Sequence, residues 1–250
     1  MKAIILAARL KTDFYSFHRN IPQALSKLGN KPLLDHLVRK LERFPAINEI
    51  IVVSDQKFLP KFREWQKYSA YKKPLLLIRK GRDEPGNRPG DLGDLELALR
   101  PSSGTPESFL VFCPDGYFDF RVGHFLLPCL GHPDYTFIGL SETEEKATPS
   151  QCAVAEMDAN GKIVRFEEKH ADPVSTHVSV GVYYLPAKAR LLLREYLIVA
   201  RRQRPEQIVD FMTWLAGRES VYGVVLGGEW FDVGFRTVHK DVIRQVSNAD

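Results

Sequence analysis

An α/β fold built on a parallel sheet is predicted by three features of the sequence. Short apolar runs occur at residues 2–8, 48–53 and 109–113, as expected of strands buried on both faces, and another at 74–79 reads as a further strand. Helical periodicity fills residues 31–44 and 59–68 between them, so that strand and helix alternate. The chain also turns polar and aromatic after its first strand, at residues 9–30, where an open α/β sheet places its ligand site.

The elements follow in order. After the strand at residues 2–8, Leu33, Leu34, Leu37, Val38, Leu41 and Phe44 share one helical face, and Pro32 suits the first turn of that helix. Residues 48–53 form the second strand, and residues 59–68 a helix that turns Phe62 and Trp65 inward. A third strand at residues 74–79 precedes a polar loop at 80–91, long enough to be functional or disordered. The stretch Gly90-Asp-Leu-Gly-Asp-Leu95 reads as an Asp-capped helix start running through Leu99.

The fourth strand, residues 109–113, ends in Pro114-Asp115-Gly116, which by itself could be only a turn. A carboxylate just past a central strand also sits where a hydrated Mg²⁺ needs an oxygen ligand. A helix is predicted at 121–130 and a strand at 135–140. Residues 151–157, the turn 158–161 and residues 162–169 form a hairpin signal. A strand at 178–185, helices at 187–200 and 205–216, a strand at 221–225 and a helix at 238–247 complete the chain.

Composition bounds the function. With 250 residues and 44% hydrophobic content the chain can bury a sizeable core, and no linker divides it. The net charge of +4 comes from dispersed Lys and Arg. Its densest cluster, Arg201, Arg202 and Arg204, reads as a helix end rather than a nucleic-acid site. Cys113, Cys129 and Cys152 are irregularly spaced and read as buried thiols of a reducing compartment. No signal peptide or membrane span is read from the sequence, so a cytoplasmic location is expected, with no nucleic acid and no membrane among the partners.

The opening residues, Lys2 to Ala8, then Ile21-Pro-Gln-Ala-Leu25 and Lys31-Pro-Leu-Leu-Asp-His36, resemble the start of the sugar-1-phosphate nucleotidyltransferases, the nucleotide-sugar pyrophosphorylases. The match keeps the family's spacing and loses much of the loop. Arg9 and Lys11 stand where the family has glycine, Thr12 is kept, Asp13 replaces an arginine and Gln23 a lysine. Glycines let backbone N–H groups approach a triphosphate at positive φ, which costs a residue with a Cβ about 1–2 kcal/mol. The arginine and lysine would neutralise a transferring phosphoryl group. Arg9, Lys11, His18 and Arg19 still leave the loop cationic, so it is open whether the loop has drifted or binds phosphate in another geometry.

Later motifs extend the resemblance to about residue 245. Gly90 and Gly93 match the family's glycines against the nucleotide base, although the small residues between them are absent. Asp115 takes the place of the metal-binding aspartate, with Pro114 before it instead of glycine. The hairpin carries Glu168-Lys169 at the family's E-K position, where the lysine contacts the phosphate of the sugar-1-phosphate; Lys169 could otherwise be an exposed residue ending a strand. Ser179 and Gly181 match positions close to the sugar, and Trp230-Phe-Asp-Val-Gly234 is similar to the element bearing the second metal aspartate, Asp232.

The resemblance implies a doubly wound α/β fold, Rossmann-like, with a mixed, mostly parallel central sheet. One domain over residues 1–250 would divide into a nucleotide-binding part at about 1–140, a β-rich sugar-phosphate part at about 141–235 and the helix 238–247. It also implies transfer of a nucleotidyl group from a nucleoside triphosphate to a sugar-1-phosphate or related phosphorylated small molecule, with release of pyrophosphate. Asp115, Lys169 and Asp232 would be catalytic, with Mg²⁺ held by Asp115 and Asp232. Ala7, Ala8, Arg9, Lys11, Thr12, Gly90 and Gly93 would bind the nucleotide, and Glu168, Lys169, Ser179 and Gly181 the sugar phosphate. A catalytically impaired binding or regulatory homologue is the alternative, and a homo-oligomer is compatible with either.

Overall fold

The computed structural model describes residues 1–8, 21–80, 90–100, 107–113, 116–143, 153–168, 175–200, 207–228 and 230–232, the backbone alone at 116–118 and 230–232. Four parallel strands form its centre: β1 (Lys2–Leu6) lies between β4 (Glu49–Ser54) and β6 (Phe109–Phe112), and β5 (Leu75–Arg79) adds outside β4. Beyond β6 the direction reverses. The strand β11 (His177–Leu185) pairs antiparallel with β6 and with β8 (Thr136–Glu142), and β12 (Val221–Val225) runs parallel to β8. With the hairpin β9 (Ala153–Met157) and β10 (Ile163–Glu168), the sheet has nine strands, mixed and mostly parallel at its centre.

Alternation along β1 explains the layers. Ile4 and Leu6 face one core with α3 (Gly90–Leu99), α5 (Ala189–Val199) and α6 (Ile208–Ala216). Ala3 and Ile5 face the other, with α1 (Leu33–Glu42), α2 (Leu59–Tyr68) and α4 (Val122–Gly131). Because both faces are covered, β1 needs apolar residues at consecutive positions, which is why it reads as an unbroken run. Ile4 and Ile5 are fully buried, and truncating either to alanine costs about 2–5 kcal/mol.

The helix after β1 begins later than its sequence suggests. Lys31–Pro32 forms a short strand, β3, against β2 (Lys27–Leu28), so Pro32 stands at the N-cap of α1 and Phe44 lies beyond its end. Asp35 is buried in the first turn, where its charge suits the positive end of the helix. Its carboxylate accepts from Arg39 Nε at 2.6 Å and from the Tyr71 hydroxyl, which fastens the α2–β5 connection onto α1. His36 Nε2 lies 2.9 Å from the Leu28 carbonyl and ties β2 to the same helix. The Asp-His pair of the opening motif therefore serves as a clamp between segments.

The β9–β10 hairpin turns on Asp158, whose carboxylate accepts from the backbone N–H of Asn160 and Lys162, and on Gly161 at φ +78. It folds back onto β12, with Gly223 N–H donating to the Gly161 carbonyl at 2.9 Å. A Cβ at Gly223 would displace the Met157 and Leu140 side chains, which pack against this glycine.

Candidate active site

The carboxyl ends of β1, β6 and β8 lie along one edge of the sheet, and of the described residues with a predicted role Ala7, Ala8, Ser179 and Gly181 lie there. Ala7 and Ala8 close β1, nearly buried at 6% and 3% exposure. A helix joining the parallel strands β5 and β6 must run back along them, which brings the start of α3 to the same edge. Gly90 opens that helix at φ +51, a left-handed conformation that glycine adopts without cost. Asp91 lies inside the first turn rather than before it as a cap, and both Asp91 and Asp94 are buried beside Leu92 and Leu95.

The end of β6 is shaped by a bulge in β11. Ser179 pairs with Leu140 and Tyr183 with Ile138, so β11 spends two more residues than β8 over the same interval. Gly181 sits in this excess at φ +72, and a Cβ there would stand 3.1 Å from the Cys113 carbonyl oxygen and 3.2 Å from Cys113 Cβ. Gly181 in turn accepts from Cys113 N–H at 2.8 Å. Opposite the bulge, Gly139 leaves room for Val180 and Val182. Bulges re-aim strands beside active sites, and this one fixes the backbone that leads directly into Pro114 and Asp115. Ser179 is buried, and its hydroxyl lies 3.2 Å from the Tyr183 hydroxyl and 3.4 Å from Gly181 N.

A two-stranded ribbon stands beside the main sheet. In it β7 (Gly116–Phe118) pairs antiparallel with β13 (Trp230–Asp232), and Asp232 is the partner of Gly116. The residue adjoining Asp115 thus lies across from Asp232. Asp119, next to the ribbon, lies close against Gly228, φ +104, where any Cβ would meet its carboxylate. Lys40 of α1 faces that carboxylate; burial pushes the Lys40 ammonium below its ordinary value, and the Asp119 charge opposes the shift. Nothing in the sequence signals this link.

Glu168 ends β10 opposite Ala153, whose neighbour Val154 pairs with Val178 next to Ser179. The hairpin therefore returns the Glu168 backbone to the strand that carries Ser179 and Gly181. Gln23, at the family's lysine position, is buried in a single 3₁₀ turn (Gln23–Leu25). Arg9, Lys11, Thr12, Asp13, Asp115, Lys169, Cys152, the polar loop at 81–89 and the helix expected at 238–247 lie outside the described residues. Among the described residues no three His, Cys, Asp or Glu side chains gather as a metal cluster.

Known proteins share this fold. Residues 2–246 match the family model described as nucleotidyl transferase. The bifunctional protein GlmU of Methanocaldococcus jannaschii is 24% identical over 235 residues, which are 94% of this chain and 51% of that protein. The mannose-1-phosphate guanylyltransferase catalytic subunit beta of Drosophila pseudoobscura pseudoobscura is 26% identical over 234 residues, 93% of this chain and 59% of that one. The chain thus spans between half and three fifths of these relatives' length. Among solved structures, a UDP-glucose pyrophosphorylase complexed with UDP-glucose superposes with a TM-score of 0.81 at 17% identity, covering 100% of this chain and 99% of that one. UTP-bound UGPase from Acinetobacter baumannii gives 0.78 at 17% identity, with 100% and 94% covered. At such identities the structures speak for the fold. The family model, in contrast, takes in every strand and helix described above, and the chain belongs to the nucleotidyl transferase family.

Proposed function

We propose that the chain is a sugar-1-phosphate nucleotidyltransferase. An oxygen of the sugar-1-phosphate attacks the α-phosphorus of a nucleoside triphosphate, and the bond to the β-phosphate oxygen breaks to release pyrophosphate. The observation that carries this reading is the ribbon register, in which Asp232 stands across from the residue that adjoins Asp115. Asp115 and Asp232, brought together, would suit a hard cation that takes oxygen ligands and completes its shell with phosphate and water. Mg²⁺, when bound, would neutralise charge on the phosphates.

The chain's own residues do the positioning. Asp115 and Asp232 supply the anionic donors, and Lys169, following Glu168 at the end of β10, orients the sugar phosphate as a compact cation. Ser179 and Gly181 shape the sugar side through the bulge, while Ala7, Ala8, Arg9, Lys11, Thr12, Gly90 and Gly93 bound the nucleotide side. In this reading residues up to about 140 hold the nucleotide and residues 141–235 the sugar phosphate. Among the described residues no helix is long and apolar enough to cross a membrane.

A second reading is favoured by one observation: Arg9, Lys11, Asp13 and Gln23 replace the residues that would cradle and neutralise a triphosphate, and Gln23 is buried. On that reading the chain binds a nucleotide sugar without making one. A coupled pyrophosphate-release screen across the nucleoside triphosphates and common sugar-1-phosphates, run beside calorimetric titration of each, separates the two. Mg²⁺-dependent release with one pair supports the transferase; binding without release supports the impaired homologue.

A further inference from the structure

Charge on this protein is concentrated far more than its total suggests. Between residues 57 and 80 eight Lys and Arg stand against a single acid, Glu64, while the whole chain carries only +4. The rest of the chain is therefore net negative. This segment is α2 with the edge strand β5, on the far side of the sheet from the β9–β10 hairpin. Lys61, Arg63, Lys67, Lys72 and Arg79 are all exposed, and among the described residues no carboxylate pairs with their charged groups, the Glu42 carboxylate accepting only from the backbone N–H of Lys72 and Lys73. Tyr68, 77% exposed, and Leu76, 37% exposed, lie between the cations.

Among the described residues no strand covers the backbone of the same edge. Ile50 N–H donates to the Pro74 carbonyl at 2.9 Å, and Lys80 N–H to the Ser54 carbonyl at 2.8 Å, so residues 74, 76, 78 and 80 turn their polar groups toward β4. Residues 75, 77 and 79 turn theirs outward. The Leu75 carbonyl is taken by Gln66 Nε2 at 2.8 Å. Among the described residues, the outward N–H and C=O of Leu77 and Arg79 meet no partner.

We infer that the β5 edge, flanked by the cations of α2, is a docking site for an acidic, extended segment of a partner protein, which adds to the sheet as a further strand. Charge complementarity selects the occupant. A second copy of this chain would bring two segments with the same excess of Lys and Arg side by side, and like charges brought together repel. An acidic strand meets cations at both ends of the ladder and on the neighbouring helix, while Leu77 and Arg79 supply the main-chain bonds that give it direction. Nucleic acid or a lipid surface would use the charge and leave the open backbone groups unused.

The test uses the full chain and a fluorescent peptide of about ten residues that alternates Glu with Val, an acidic sequence with strand propensity. Its controls are the same peptide N-methylated at alternate residues, oligothymidine, and vesicles of phosphatidylcholine with about one third phosphatidylserine. The peptide is expected to bind with an affinity that falls as salt rises. Binding should fall about tenfold or more on N-methylation, and likewise in the K61E/R63E/K67E chain, whose melting temperature verifies its fold. R79E, at the other side of the ladder, should lose affinity without the helix being touched. The inference is overturned by no peptide binding, by equal binding of the methylated peptide, or by oligothymidine or vesicles binding more tightly than the peptide.

Discussion

Asp232 stands directly opposite Gly116 in a ribbon of only three residues a side. Antiparallel register brings Cα atoms of facing residues to about 4.5–5.5 Å. Two strands more than a hundred residues apart in sequence are thereby joined next to position 115. If Asp115 and Asp232 share one divalent ion, Asp115→Asn and Asp232→Asn should each weaken Mn²⁺ binding roughly tenfold or more, read by electron paramagnetic resonance. The double variant should be little worse than either. Two independent losses that multiply would show separate sites.

Gly181 is required where it is. Its φ of +72 costs a Cβ-bearing residue about 1–2 kcal/mol, and the Cys113 carbonyl 3.1 Å from the Cβ position adds to that. Gly181→Ala should lower the melting temperature by about 2–8 °C, at the 2–4 °C per kcal/mol typical of this size. An unchanged midpoint would mean that the bulge is not rigid.

The clamp on α1 predicts a stability loss away from the site. Tyr71 donates to the buried Asp35 carboxylate, and Tyr71→Phe leaves that oxygen without its donor. The expected cost is about 1–3 kcal/mol in urea unfolding, with an unchanged dependence on denaturant. A loss below about 0.5 kcal/mol would mean that Arg39 alone satisfies Asp35.

Alkaline pH should destabilise the protein through Tyr196. Burial, reinforced by the Asp210 charge, pushes the Tyr196 hydroxyl up to about 12. A folded value above the unfolded one of about 10 means that the neutral form is favoured in the fold, so this contribution is complete below pH 10 and is lost between about 10 and 12. Tyr196→Phe should flatten the decline of stability across that window and leave the slope below pH 9 unaltered. An identical decline in both proteins would assign it to other groups, among them the buried Tyr71 hydroxyl, which is also raised.

What the sequence made legible follows from periodicity. The helix expected at 59–68 is α2, residue for residue, because Phe62 and Trp65 are buried beside exposed Lys61, Arg63 and Lys67. The strand at 221–225 coincides with β12. Elements too short to show a period leave no such signal: the β2–β3 pair is set by two-residue contacts and the β7–β13 ribbon by partners distant in the sequence. The sequence could place Asp35 and His36 in a motif but not show that they clamp segments together, since Tyr71 and Leu28 meet them only after folding. The same holds for Asp119, which adjoins Gly228 across more than a hundred residues.

The most direct test takes the substrate pair found by the screen and measures initial rates of pyrophosphate release against Mg²⁺ concentration, for the unaltered chain, Asp115→Asn and Asp232→Asn. The account predicts release that requires both substrates and Mg²⁺, a fall of roughly a hundredfold or more in each variant, and a higher Mg²⁺ concentration needed to approach what rate remains. Undiminished release by either variant would contradict it.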